Sequence, residues 1–134
     1  MAHVNGSDTV RAAALAGVDS IEHGYFADED AMQIMAEKQI VWVPTLAAVE
    51  AFIGREGISS AVAERTLDEQ LNCLSKARDM GVSIAAGSDS GAVGVPHGKG
   101  TIREHELLAR TGCTEEETYR ANKLLAGRFT GRAG

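Results

Sequence analysis

The sequence predicts an α/β fold built from successive βα units around a parallel sheet, amounting to about half of a (β/α)8 barrel. Three observations predict it. Helix-period segments alternate with short β-branched runs along the whole chain. Three times the same phrase recurs, a helix, a tight turn, an apolar strand and then a polar residue, with His23, Thr45 and Asp89 as the polar members. The chain has 134 residues, whereas a closed eight-stranded barrel takes about 250. No linker interrupts the pattern, so residues 1–134 are expected to form one domain.

The elements follow in order. Ala2-His3-Val4 reads as a clipped first strand. A helix from Asp8 to Ala16 has Ser7 or Asp8 as its cap, Val10, Ala13 and Ala14 as its apolar stripe, and Gly17 as its stop. Val18–His23 reads as a strand. Asp28 opens a second helix that runs through Met32 and Met35 to Lys38, with three carboxylates at its positive end. Ile40–Val43 is a buried strand closed by Pro44, which cannot donate to a ladder. Ala47–Ile58 is a long excursion holding a short helix. Ser60–Met80 is the most regular helix, with Val62, Leu67, Leu71, Leu74 and Ala77 expected on its buried face. Val82–Ala86 follows as a strand. Two Thr-x-x-Glu pairs, Thr101 with Glu104 and Thr114 with Glu117, predict capping boxes for two last helices separated by Gly112.

Composition narrows the function classes. The net charge is −6 and the 13 basic residues are scattered, which argues against a nucleic-acid surface. With 4% aromatic residues there is no stacking platform for single strands. No apolar run approaches a membrane span, and the N-terminus lacks the blocks of a signal peptide, so the expectation is a cytoplasmic protein with no membrane partner. Cys73 and Cys113 show no metal or redox spacing and read as reduced structural thiols. No glycine-rich phosphate loop precedes a helix in the required way.

In parallel βα architectures chemistry collects where strands end, because the loops there vary over a rigid scaffold. His3, His23 and Asp89 all fall at such ends. Each alone has a bland reading: a surface or core histidine, a histidine beside a glycine turn, a solvated turn aspartate. Together, two neutral imidazoles and one carboxylate on one rim make a nitrogen and oxygen set suited to zinc or a similar divalent ion. Tyr25 and Thr45 lie near that rim and His97 sits in the loop beyond Asp89. All three are candidates for substrate contact, against ordinary packing for the first two and simple solvation for the third. Strand alternation turns Glu22 away from His23 and out of the site.

These segments resemble the amidohydrolase superfamily. The run from Ala12 to Gly24, ending Ser-Ile-Glu-His-Gly, resembles that family's sixth-strand motif. The run from Gly81 to Gly91, containing Ala-Gly-Ser-Asp-Ser-Gly, resembles its eighth, and Val43-Pro44-Thr45-Leu46 resembles its seventh-strand ending. His97-Gly98 and Glu106-Leu107 resemble the segment after strand eight. The likeness covers nearly the whole chain and is strongest to the imidazolonepropionase-like and Xaa-Pro dipeptidase-like branch.

The resemblance implies strands five to eight of the barrel, with His3 and His23 as metal ligands. It makes Asp89 both ligand and catalytic acid–base, in a metal-dependent hydrolase that cleaves amide or cyclic-amide C–N bonds of a small or peptide-like substrate. The family's first-strand His-x-His pair and its fourth-strand lysine have no counterpart in these residues. The alternative is a non-catalytic α/β remnant that binds metal weakly or not at all. In either case two open strand edges and an uncovered apolar face predict a homo-oligomer.

Overall fold

The structure, a computed structural model, describes residues 1–131. Ten elements run in the order β1 (Ala2–Val4), α1 (Ser7–Leu15), β2 (Ser20–His23), α2 (Glu29–Glu37), β3 (Val41–Val43), α3 (Leu46–Glu50), α4 (Ser60–Asp79), β4 (Ser83–Ile84), α5 (Lys99–Arg110) and α6 (Glu115–Thr130). The four strands form one sheet in sequence order, every pair parallel. Each chain return between neighbours passes through at least one helix, as parallel pairing requires. The sheet is therefore a contiguous arc of a (β/α)8 wall, as the alternation predicts.

Strand alternation divides the side chains between two faces. Ile21, Trp42 and Ile84 point toward α1, α2 and α4 and join Val10, Ala14, Met35, Leu67, Leu71, Leu74 and Ala77 in the main core. Val41, Val43 and Ala85 point the other way and meet Ala121 and Leu125 of α6. The register His3↔Glu22↔Val43 places His3 on this second face as well. The apolar face expected to lie uncovered is thus partly closed by the chain's own last helix. Two polar anchors hold α6 there. Asn122 bonds both the N–H and the carbonyl of Ala86, while the Arg128 guanidinium donates to the carbonyls of Asp19 at 2.9 Å and Gln39 at 2.7 Å. Those partners flank opposite ends of the strands, so α6 spans the sheet along its length.

Sequence signals at helix ends hold where the cap is local. Asp28 accepts from Ala31 N–H, and Thr114 with Glu117 forms a reciprocal capping box. The other Thr-x-x-Glu pair does not. Helix α5 begins three residues earlier than the capping box predicts, at Lys99, so Thr101 lies inside it, and Glu104 turns away to a distant partner. Its carboxylate accepts Leu46 N–H at 3.0 Å and Ala47 N–H at 2.7 Å, capping α3 from 57 residues away in sequence. Helix α4 also rotates relative to its predicted stripe: Val62 is half exposed, and Ala63 and Gln70 are buried in its place.

Glu104 is fully buried. Desolvation pushes its carboxyl up to about 7 despite the two backbone donors that favour the charged form. A carboxyl raised on folding stabilises the folded state most at low pH, and that contribution is lost as pH rises through the folded value. The chain is therefore expected to lose stability on the order of 3 kcal/mol from this group between about pH 4.5 and pH 7. Urea titrations across that range should show the slope in the native chain and a flattened profile in Glu104→Gln. An equal slope in both would show that Glu104 is not the group responsible.

Candidate metal centre

Three strand ends bring the predicted residues together by the same backbone device. His23 at the end of β2, Thr45 two residues beyond β3 and Asp89 five residues beyond β4 all adopt the left-handed region, at φ of 65°, 52° and 54°. This conformation is uncommon outside glycine, and a β-branched residue such as Thr45 adopts it only when its surroundings compel it. The left-handed step swings each side chain off the strand direction and onto the rim.

The contacts that compel it can be named. The indole N–H of Trp42 donates to the His23 carbonyl at 2.8 Å, and the Gln70 amide approaches the same oxygen at 3.4 Å. Gly24 follows directly. A Cβ there would stand 2.5 Å from Trp42 Nε1, so only glycine lets the ring lie against the turn. Thr45 is held by the Glu104 cap on the two residues that follow it. Asp89 lies between Ser88 and Ser90, whose hydroxyls bond each other at 2.7 Å.

His23 Nδ1 lies 2.7 Å from Thr45 Oγ1, and His23 Nε2 lies 2.7 Å from His3 Nδ1. Tyr25 Oη is 2.9 Å from Thr45 Oγ1 and 3.1 Å from the Thr45 carbonyl. One assignment satisfies every donor in this chain. His23 Nδ1–H donates to Thr45 Oγ1, the Thr45 hydroxyl donates to Tyr25 Oη, and the Tyr25 hydroxyl donates to the Thr45 carbonyl. His23 Nε2 is then left as a lone pair that accepts from His3. Orientation of an imidazole through its second nitrogen is the arrangement metal-ligating histidines use. Burial and the neighbouring His3 ring lower the His23 pKa below the ordinary imidazole value, which favours the neutral form a metal needs. Burial pushes the Tyr25 phenol up to about 12, so it stays a neutral donor.

His3, Asn5, His23, Tyr25 and Asp89 all line one cavity of about 410 Å³. Asp89 and His3 are exposed there and His23 is buried. Thr45 is buried behind His23, where it holds the imidazole. His97 is not brought to the cavity: its exposed ring lies over Gly91, two residues beyond Asp89. Glu22 shares a sheet face with His3, in register with it, yet does not line the cavity; its carboxylate accepts from Ser20 at 2.7 Å. The functional partners that sequence reasoning missed are Trp42, Gln70, Glu104 and Asn5. Asn5 carried a local signal, standing two residues beyond His3, and its side chain accepts Tyr25 N–H. The others reach the site across the fold.

The donor types suit a divalent ion, and their spacing tests the fit. Two imidazole nitrogens sharing a tetrahedral zinc at about 2.0–2.1 Å stand about 3.3 Å apart. The His3–His23 nitrogens are closer than that and bond each other. Among the described residues, no three His, Cys, Asp or Glu side chains converge as a complete ligand group. The pair fits in kind and orientation, and the exposed His3 ring is the member that would have to turn outward.

No family model matches the sequence. Ochratoxinase from Aspergillus niger is 33% identical over 125 residues, 90% of this chain and 25% of that protein. Its crystal structure superposes with a TM-score of 0.70 over 89% of this chain and 27% of its own. A Xaa-Pro dipeptidase solved with bound methionine in its active site matches 98% of this chain with a TM-score of 0.75 at 26% identity. A solved amidohydrolase shares the fold, with a TM-score of 0.73 at 22% identity over 97% of the chain. These likenesses bear out the resemblance to the amidohydrolase superfamily. It spans about a quarter of the length of ochratoxinase and 33% of the dipeptidase. The four parallel strands β1 to β4 are consistent with part of such a barrel.

The Thr45 hydroxyl provides a direct check on the site. Thr45→Val keeps the β-branching and removes only the hydroxyl. It is expected to cost about 1–2 kcal/mol, because buried His23 Nδ1 loses its partner. The ring 15N shifts of His23 should change with it, and Thr45→Ser should preserve both. Unchanged His23 shifts in Thr45→Val would remove Thr45 from the site.

Proposed function

We propose that this chain carries part of the active site of a metal-dependent hydrolase. It acts on amide or cyclic-amide C–N bonds of a small or peptide-like substrate, with His3, His23 and Asp89 as the residues that hold a divalent ion, zinc by preference. The observation that carries the reading is the His3–His23 pair, backed through Nδ1 by Thr45 and Tyr25 and sharing one cavity with Asp89. Ochratoxinase and the dipeptidase support it, as relatives whose names denote hydrolases.

What a divalent ion supplies in such a donor set is Lewis acidity, which makes water a usable nucleophile near pH 7. The chain's own residues would do the rest. Neutral His23 offers Nε2 while Thr45 and Tyr25 fix its ring plane. The Asp89 carboxylate takes the proton released by the attacking water and returns it to the departing nitrogen. The Tyr25 phenol, neutral at working pH, keeps the Thr45 carbonyl and hydroxyl occupied so that neither competes for the substrate.

Self-association belongs to the same proposal, since β1 and β4 are both edge strands with unpaired backbone groups. So does a cytoplasmic location, supported by the free thiols of Cys73 and Cys113. No helix among the described residues is long and apolar enough to cross a membrane. The second reading, a non-catalytic remnant, is favoured by the fact that among the described residues no three His, Cys, Asp or Glu side chains converge as a ligand group.

Zinc titration with elemental analysis separates the two. Near-stoichiometric binding by the native chain, abolished in His23→Ala and Asp89→Ala, is the expected result, with amide hydrolysis lost in the same variants. A chain that stays metal-free, or binds zinc equally after His23→Ala, would establish the remnant.

A further inference from the structure

The cavity beside the histidine pair has a second wall that the metal chemistry does not use. Besides the polar groups it is lined by Ala48, Phe52, Ala92 and Val93. Phe52 is 40% exposed and Val93 60% exposed, so neither is committed to the core. They come from separate excursions, one just beyond α3 and one beyond β4, and converge only through the fold.

Both excursions are fixed to the site. Ala48 N–H bonds the Thr45 carbonyl at 3.1 Å and Phe52 N–H bonds the Val49 carbonyl at 3.1 Å, so the first follows directly from the residue that orients His23. Ala92 N–H bonds the Asp89 carbonyl at 2.9 Å, so the second shares its turn with Asp89. The distance from the apolar wall to the reacting centre is therefore set by two short backbone runs. No lysine or arginine lines the cavity, which leaves no side-chain cation there to hold a carboxylate. At about 410 Å³ it is within the size range of small-molecule sites, and it combines an apolar wall with a few convergent polar groups.

We propose that Phe52 and Val93, seated on Ala48 and Ala92, form a specificity subsite that selects a neutral aromatic or branched aliphatic group next to the C–N bond to be cleaved. The proposal rests on the reading of His3, His23 and Asp89 as the reacting centre. The ligand class is an amide bearing an apolar side chain, with no charge on that side chain. Apolar exposure at this site is then functional, because solvent-facing Phe and Val beside a polar cluster gain by covering a ligand.

The test is binding by the full chain, read by NMR on the His3 and His23 rings, with neutral N-acetyl amino-acid amides as probes. N-acetyl-phenylalaninamide and N-acetyl-leucinamide are expected to bind about tenfold more tightly than N-acetyl-serinamide. Phe52→Ser and Val93→Ser should each remove most of that preference while leaving the serinamide unchanged. Leu15→Ser, at an exposed apolar residue outside the cavity, should have no effect. Equal binding of apolar and polar probes, no binding of the apolar ones, tightest binding of the anionic N-acetyl-aspartate, or preference unchanged in both cavity variants would each overturn the subsite. Zinc titration of the same samples keeps the two readings apart. Zinc binding without apolar preference removes the subsite alone, and apolar preference without zinc binding removes the metal reading alone.

Discussion

The carbonyl of His23 is where the two halves of this structure meet. On the helix side it accepts from the Trp42 indole and faces the Gln70 amide, both fully within the core. On the rim side the same residue's imidazole joins His3 and Thr45. A left-handed backbone at a non-glycine residue costs on the order of 1–3 kcal/mol and survives only where several contacts over-determine it. Here a buried indole, a glycine that admits it and a paired imidazole supply those contacts. The core therefore fixes the position of the chemistry through one peptide group.

The same logic extends along the sheet. Thr45 and Asp89 repeat the left-handed turn in the segments that follow the next two strands, and each is pinned by a different polar device. A buried carboxylate caps the turn after Thr45, and a pair of serine hydroxyls flanks Asp89. Left-handed strand ends re-aim side chains that a straight strand would alternate between faces. This is how His23 reaches the rim while Ile21 stays in the helix-side core.

The two faces of the sheet are unequal. One carries most of the core, to which five helices contribute, the other a single helix whose apolar contribution is Ala121 and Leu125. Polar anchoring compensates in part: the Asn122 and Arg128 contacts all end on backbone groups at the margins of the strands. Helix α6 covers the strand middles and leaves the rim with His3 and Asp89 accessible to solvent.

The sequence by itself determined the order of elements, the parallel sheet, the local caps at Asp28 and Thr114, and that His3, His23 and Asp89 fall on one rim, where they line one cavity. All of these depend on periodicities or spacings of a few residues, which a chain carries in its own text. Only the tertiary structure decided that Glu104 caps α3 rather than its own helix, that His97 lies outside the cavity and that α6 covers part of the second face. It also decided that Phe52 and Val93 line the same cavity as the histidines. The physical reason is shared. A buried carboxylate goes to whichever backbone donors the packing leaves unpaired, and an amphipathic helix settles on whichever apolar face is open. None of these outcomes is encoded within a few residues of the groups that show it.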